Sequence, residues 1–144
     1  MARVSTYLNF MGQTEEAFEF YRSVFGTEYS MPILRMAEMG ADPNGPPLSE
    51  AEANLVGHVE LPILAGHVIM GTDMIASMGH ELRIGNNTTI NLEPDSIDEA
   101  RRLYDALADG ATECAPLSEM PWGWWGVCLD RFGVRWMFNV SDAG

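Results

Sequence analysis

The segment VSTYLNFMGQTEEAFEFYRSVFG, residues 4–26, decides the fold because it pairs a short alternating strand with an amphipathic helix. Polar and apolar residues alternate from Val4 to Phe10, as in a strand with one buried face. Apolar residues then recur at helical spacing from Thr14 to Phe25, and Gly26 stands where a helix-terminating glycine is expected. The predicted apolar face of this helix consists of Ala17, Phe20, Tyr21 and Val24.

The same order returns in TTINLEPDSIDEARRLYDALADG, residues 88–110. Residues 88–93 alternate as a strand, and Ser96 with Glu99 has the spacing of a capping box at a helix start. Gly110 follows the helical pattern, as Gly26 does in the first copy. The predicted apolar face consists of Ala100, Leu103, Tyr104 and Leu107. The chain therefore contains an internal duplication, which is informative about its architecture.

Strand-like sequence follows each helix. The predicted strands are residues 28–36, 55–64 and 67–72 in the first half, and 112–116, 124–129 and 134–140 in the second. Each half then has the order strand, helix, strand, strand, strand, which indicates an α+β fold rather than a doubly wound parallel sheet. The 144 residues form a single predicted domain, 1–144, with modules at about 4–73 and 86–140. Each helix would cover one face of its sheet and leave the other face to curve around a cleft.

This duplicated layout resembles the vicinal oxygen chelate superfamily, which includes glyoxalase I, extradiol dioxygenases and bleomycin-resistance proteins. More closely, the chain is similar to its PhnB-like branch, also called 3-demethylubiquinone-9 3-methyltransferase-like. The segments that carry the resemblance are Tyr7–Phe10, Glu16–Ala17 with Phe20–Tyr21, Phe25–Gly26, Gly71–Asp73 and Trp125–Trp136. The resemblance implies a glyoxalase/bleomycin resistance-like fold, a small-molecule ligand and a homodimer. It does not specify a reaction, because one fold serves many activities.

Enzymes of this superfamily bind a divalent metal on the concave sheet face, with ligands from the first and last strands of each half. Strand alternation places four residues of this chain at those positions. They are Ser5, Met70, Thr89 and Met137. Neutral hydroxyls and thioethers are poor ligands for hard or borderline divalent ions. We therefore predict that the usual metal site is absent.

The same alternation predicts the residues that line the cleft. The ligand-binding candidates are Ser5, Tyr7, Asn9, Met70, Thr89, Asn91, Trp122, Trp124, Arg135 and Met137. The tryptophans would stack on a planar ligand or fill the core and an interface, and the methionines would make the cleft adaptable. Arg135 would bind an anion or form an internal salt bridge.

Two sets of titratable residues are candidates for acid–base chemistry. Glu93 is the predicted catalytic residue, because a carboxylate in a partly apolar cleft, near Arg135, has a shifted pKa. The alternative is a solvated Glu93 at the start of a turn. His58, Glu60 and Asp73 would share a face if the hairpin pairs residue 58 with residue 73. They would then bind an ion or shuttle a proton, or else form a solvated strand surface.

Charge and residue usage exclude several classes of function. The chain has eight basic and 21 acidic residues, which gives a net charge of −13. Nucleic acid and anionic membrane surfaces are therefore not expected partners. The basic residues are all arginine, which excludes a Schiff-base lysine and a P-loop. No glycine-rich loop joins a strand to a helix, so we expect no nucleotide-like cofactor. We expect the protein to use no cofactor.

The two cysteines, Cys114 and Cys128, lack the spacing of a disulfide framework or a zinc finger, and we expect two buried thiols in a reducing compartment. The chain shows no apolar run of transmembrane length, and we expect a cytoplasmic protein.

The first functional hypothesis is a protein that binds an unidentified small molecule without the usual metal. The alternatives are a metal-dependent lyase, isomerase or dioxygenase of the superfamily, and a bleomycin-resistance-type protein that captures a cationic drug.

Overall fold

The computed structural model describes residues 1–40 and 44–141. These residues divide into two compact units, unit 1 up to residue 83 and unit 2 from residue 84 onward. Unit 1 contains β1 (Thr6–Phe10), α1 (Thr14–Phe25), β2 (Leu34–Arg35), α2 (Glu50–Ala53), β3 (Val56–Pro62) and β4 (Val68–Asp73). Unit 2 contains β5 (Ile90–Leu92), α3 (Ile97–Leu107), β6 (Thr112–Met120), β7 (Gly123–Leu129) and β8 (Arg135–Ser141). Short 3-10 helices occupy Met36–Glu38, Leu64–Gly66 and Ala76–Met78.

Each unit is built on a four-stranded mixed sheet, and the two sheets have the same strand order. In unit 1 the order is β1-β4-β3-β2, and in unit 2 it is β5-β8-β7-β6. The first strand of each unit runs parallel to the last, and the other neighbouring strands are antiparallel. The duplication seen in the sequence is therefore also a duplication of topology, and the predicted α+β class is confirmed.

The two longer helices cover one face of the sheet in their own unit. In α3 the buried residues are the predicted Ala100, Leu103, Tyr104 and Leu107. In α1 the fully buried rings are Phe18 and the predicted Tyr21, whereas Phe20 is only partly buried, so the predicted face is wrong by that one residue. Phe18 packs where Gly71 of β4 leaves room, since a Cβ at Gly71 would lie 2.5 Å from its ring.

The second strand of unit 1 is much shorter than the sequence predicts. Residues 28–36 suggested a full strand, but only Leu34–Arg35 pair with β3, and the register shifts between those two residues. Further along the chain, α2 begins at a capping box formed by Ser49 and Glu52. Residues 41–43 lie outside the described range. No helix among the described residues is long and apolar enough to cross a membrane.

The outer strand of unit 2 is longer than the sequence predicts, because β6 extends to Met120 rather than ending near residue 116. Its pairing with β7 shifts register between Thr112 and Ala115 and again between Ala115 and Ser118. Glu113 has a φ of 47°, a left-handed conformation at the first of these shifts. Most side chains of β6 are exposed, as expected of a strand at the edge of a sheet.

A single carboxylate joins the ends of three elements in unit 1. Asp73, at the end of β4, is 3% exposed. It accepts hydrogen bonds from the backbone N–H of Gly12 at 2.9 Å and of Thr14 at 3.1 Å, and from the Thr14 hydroxyl at 2.7 Å. Its other oxygen accepts from the Val56 N–H at 2.9 Å, where β3 begins. Asp73 thereby fixes the start of α1 against the ends of two strands.

Replacing this carboxylate tests its structural role. We expect Asp73→Ala to lower the free energy of unfolding by about 3 kcal/mol or more, because each buried donor left without an acceptor costs about 1–3 kcal/mol. Urea denaturation measures the difference. The matched control is Asp95→Ala, at an exposed carboxylate, which should change stability by less than about 0.5 kcal/mol. Equal losses in the two variants would contradict the assignment.

The two cysteines differ in accessibility, so the expectation of two buried thiols is wrong for one of them. Cys128 of β7 is buried beneath the sheet, whereas Cys114 on the outer strand is exposed. Burial raises the pKa of the Cys128 thiol to about 12, and the neighbouring Cys114 adds to the increase. The thiolate is the reactive form, so the native protein holds Cys128 unreactive.

Thiol labelling checks this difference. We expect iodoacetamide to modify Cys114 in the native protein and Cys128 only after denaturation, as read by the mass of the intact chain. In Cys114→Ser the native protein should show no modification. Rapid native labelling of Cys128 in that variant would show that β7 is not buried as described.

Candidate functional site

The face of the unit 1 sheet that points away from α1 carries a line of polar side chains, and we call it the helix-free face of unit 1. Strand pairing sets Tyr7 of β1 opposite Met70 of β4, and Met70 opposite Glu60 of β3. Because side chains alternate along a strand, these three lie on the face opposite Gly71, which contacts α1. His58 precedes Glu60 by two residues on β3 and shares its face.

Three of these side chains form a hydrogen-bonded chain. The Tyr7 hydroxyl lies 2.9 Å from Nδ1 of His58, and Nε2 of His58 lies 3.1 Å from Oε2 of Glu60. The Tyr7 and His58 rings are 5.7 Å apart between centroids, with planes inclined at 32°. Both ring nitrogens of His58 therefore have partners, and these fix the orientation of the imidazole.

The hydrogen-bonded chain runs from a partly buried end to an exposed one. The His58 and Glu60 side chains are 19% and 17% exposed, whereas Tyr7 is 46% exposed. Arg3 lies 3.6 Å from the second carboxylate oxygen of Glu60 and supplies a compensating positive charge. Burial raises the pKa of the Tyr7 phenol, and the charge of Glu60 raises it further. Tyr7 is therefore a protonated phenol at neutral pH.

Neutral groups surround the hydrogen-bonded chain of Tyr7, His58 and Glu60. The Ser5 hydroxyl donates to the Met70 sulfur at 3.6 Å, and the Thr72 hydroxyl donates to the Val56 carbonyl at 3.3 Å. Asn9 is exposed two residues after Tyr7. Ser5, Tyr7, Asn9 and Met70 thus share the face that strand alternation predicts for them.

Asp73 is not part of this arrangement. The register pairs Val59 with Gly71, so His58 lies opposite Thr72 and not opposite residue 73. Asp73 lies on the other face, where it binds the start of α1. The predicted grouping of His58, Glu60 and Asp73 is therefore wrong for Asp73, and its place beside His58 is taken by Tyr7.

The helix-free face of unit 2 is built from amide and thioether groups. Asn91 of β5 pairs with Met137 of β8, and the Asn139 amide donates to the Asn91 side-chain oxygen at 2.7 Å. Trp125 of β7 lies opposite Asn139 and so joins this face. Thr89, which lies just before β5, is partly buried.

Arg135 also belongs to this face, with a side chain that is 15% exposed. Its Nη2 lies 3.4 Å from Glu113 of β6. Its buried Nε has no hydrogen-bond partner among the described residues. The predicted salt bridge is therefore present, but its acid is not Glu93.

Glu93 is exposed rather than held in an apolar site. Its carboxylate accepts a hydrogen bond from Asn91 at 3.3 Å. The predicted proximity of Glu93 to Arg135 is wrong, since the guanidinium reaches across to β6 instead. Glu93 is therefore a solvated residue, and the predicted catalytic role depended on an apolar environment that the exposed side chain does not have.

The tryptophans do not act as one group. Trp122 lies at the turn between β6 and β7 and is 56% exposed. Trp124 lies opposite Val140 on the helix-covered side, with the Arg101 guanidinium of α3 4.8 Å from its ring centre. Trp124 is thus not a residue of the helix-free face, and the expectation that it lines the cleft is wrong. Trp125 is the tryptophan of that face, and alternation along β7 was the signal that could have identified it.

The donor set at the positions of the superfamily's metal ligands does not fit a divalent ion. Unit 1 offers the Ser5 hydroxyl, already donated to the Met70 thioether, and unit 2 offers Thr89 and Met137. In the described part of the chain, no three His, Cys, Asp or Glu side chains come together in a potential metal site.

Comparisons with known proteins agree on one family. A family model described as 3-demethylubiquinone-9 3-methyltransferase matches residues 2–138. Protein YjdN of Escherichia coli K12 is 32% identical over an alignment of 143 residues, which covers 95% of this chain and 94% of that protein. A PhnB protein from Bacillus cereus is 25% identical, with a TM-score of 0.74 over 97% of this chain and 100% of that one.

A more distant structure shows the fold alone. The glyoxylase/bleomycin resistance protein/dioxygenase domain from Frankia sp. EAN1pec is 15% identical and has a TM-score of 0.65. The match covers 100% of this chain and 95% of that domain. The predicted glyoxalase/bleomycin resistance-like fold is confirmed.

Proposed function

This chain belongs to the 3-demethylubiquinone-9 3-methyltransferase family of PhnB-like proteins, and from that premise we propose that it binds a small molecule on the helix-free face of a sheet without a divalent metal. The observation that carries the proposal is the chemistry of the helix-free faces. At the positions where the superfamily's enzymes place metal ligands, they present the hydroxyls of Ser5 and Thr89 and the thioethers of Met70 and Met137. A phenol and two amides lie on the same faces. Such groups hold a ligand by hydrogen bonds and soft apolar contacts.

The methyl transfer in the family's name finds no support in the strand-to-helix connections. β1 and α1 are joined by residues 11–13, with Gly12 as the glycine, and β5 and α3 by residues 93–96, without glycine. A nucleotide-like methyl donor is usually held by a glycine-rich turn whose backbone approaches it closely. We therefore propose ligand binding rather than methyl transfer for this chain.

A second candidate function is capture of a cationic drug, as in bleomycin resistance. The net charge of −13 favours it, since an acidic surface attracts cations. The charged groups on the helix-free face of unit 1 argue for an uncharged ligand, because Glu60 is already paired with Arg3.

Two further expectations belong to the same proposal. Both cysteines are free thiols, which suits a reducing compartment such as the cytoplasm. The family resemblance implies a homodimer. Sedimentation equilibrium tests this, because it gives the mass of the assembly in solution.

Metal retention tests the metal-independent part of the proposal. Protein purified without chelator and loaded with Ni²⁺, Mn²⁺, Fe²⁺ or Zn²⁺ should retain far less than one ion per chain after gel filtration, because the donor set is poor. Elemental analysis gives the ratio. Stoichiometric retention would contradict the proposal, and its loss in His58→Gln would place the ion at His58, in favour of the metal-dependent alternative.

Thermal denaturation with candidate ligands separates the two binding functions. A molecule that binds only the folded chain stabilises it by about 2.7 kcal/mol at a hundredfold excess over its Kd. We expect neutral planar aromatic compounds to raise the Tm, and cationic glycopeptides to have no effect at 0.15 M salt. The opposite result would favour drug capture. The control is Tyr7→Ala, which removes the exposed ring and should reduce the shift caused by aromatic compounds.

A further inference from the structure

We propose that Tyr7, His58 and Glu60 form a proton relay that takes the proton from a hydroxyl group on a bound planar ring. The inference rests on the proposed function, since it names the ligand class and the chemistry of the same face. It starts from the hydrogen-bonded chain of 2.9 Å and 3.1 Å described above.

The direction of the hydrogen bonds follows from the donors and acceptors available. The Glu60 carboxylate, which is paired with Arg3, can only accept, so the hydrogen between Glu60 and His58 belongs to Nε2 of His58. Nδ1 of the neutral imidazole then carries a lone pair and accepts from the Tyr7 hydroxyl at 2.9 Å, a shorter distance than the 3.5 Å from that hydroxyl to the Gly71 carbonyl. With His58 neutral, the hydrogen-bonded chain can receive one proton at Nδ1, and the resulting imidazolium would be paired with the Glu60 carboxylate.

Tyr7 transmits the proton but does not hold the negative charge. Burial and the charge of Glu60 both oppose a free phenolate at this position. In the relay, the O–H bond of the ligand breaks as a new O–H bond forms on Tyr7, and the original Tyr7 proton moves to Nδ1 of His58. The products are a ligand oxyanion, a neutral Tyr7 and an imidazolium paired with Glu60, so the total charge is unchanged.

The surroundings of Tyr7 favour a planar ring as the carrier of that hydroxyl. Tyr7 is the exposed end of the chain, and its ring with that of His58 offers an inclined aromatic surface. The Met70 thioether lies on the neighbouring strand in register with Tyr7, and sulfur packs favourably against aromatic rings. The neutral Ser5 and Asn9 flank this surface along β1, so an uncharged ligand loses little hydration on binding.

Absorbance of 4-nitrophenol provides the test, because its phenolate and phenol forms absorb at different wavelengths. The probe is held at a pH where it is mainly protonated in solution, and the full-length protein is added in excess. 4-Nitroanisole, which has the same ring but no hydroxyl proton, reports binding alone by competition. We expect the wild-type protein to bind both and to increase the phenolate fraction of bound 4-nitrophenol at least about tenfold.

The variants separate the relay from simple binding. Tyr7→Phe keeps the ring and should return the bound 4-nitrophenol to its solution phenolate fraction while 4-nitroanisole still binds. His58→Gln should also return the bound 4-nitrophenol to that fraction, and it should weaken the binding of both probes because it removes one ring of the aromatic surface. Glu60→Gln should give an intermediate fraction, since it removes the charge that stabilises the imidazolium. Tyr29→Phe is the matched control and should behave as wild type, because the Tyr29 hydroxyl donates to the Glu19 carboxylate at 2.6 Å and not to a histidine of the described residues.

Each outcome bears on a different proposal. Binding of both probes without an increased phenolate fraction, or with an increase that persists in His58→Gln, would overturn the relay and leave the binding function standing. Failure of wild-type protein to bind either probe would overturn the aromatic ligand class and the relay with it. Circular dichroism of each variant shows whether the fold is retained, and two independent substitutions, Tyr7→Phe and His58→Gln, address the same step.

Discussion

The buried carboxylate of Asp73 is the interaction on which unit 1 depends. It joins the first turn of α1, the end of β4 and the beginning of β3 through short hydrogen bonds. A negative charge also suits the start of a helix, where unpaired N–H groups and the helix dipole favour anions. Since β3 begins at Val56, fixing that residue also fixes which side chains follow on each face. His58 and Glu60 thereby reach the face that carries Tyr7.

Unit 2 repeats the topology of unit 1 without repeating its chemistry. Its buried aspartate, Asp130, accepts from its own turn, at the Phe132 and Val134 N–H groups, and from the Trp136 indole. It therefore ties the β7–β8 connection to the core rather than joining a helix to two strands. The helix-free face of unit 2 has amides, a thioether and a tryptophan in place of the phenol–imidazole–carboxylate chain. Duplication has preserved the scaffold, and the two copies now offer different groups to a ligand.

Local patterns predicted the scaffold, whereas the site depended on pairing between distant strands. Apolar spacing identified α3 fully, because its face is set by a period that the sequence displays directly. β2 was predicted too long because a partner strand, not local propensity, decides where a strand ends. A one-residue error in the β3–β4 register placed Asp73 beside His58, and such a slip moves a side chain to the other face. The contact between Tyr7 and His58 joins residues 51 positions apart, and no local pattern contains it.

The irregular outer strand of unit 2 has a consequence for the behaviour of the chain at high concentration. β6 presents nine residues along the edge of its sheet, a length that would invite addition of a foreign strand. Its two register shifts, the left-handed Glu113 and Pro116 interrupt the regular row of N–H and C=O groups that such an addition needs. The bends that distort this edge therefore act against fibrillar self-association, and a straighter β6 would make the protein more prone to aggregate.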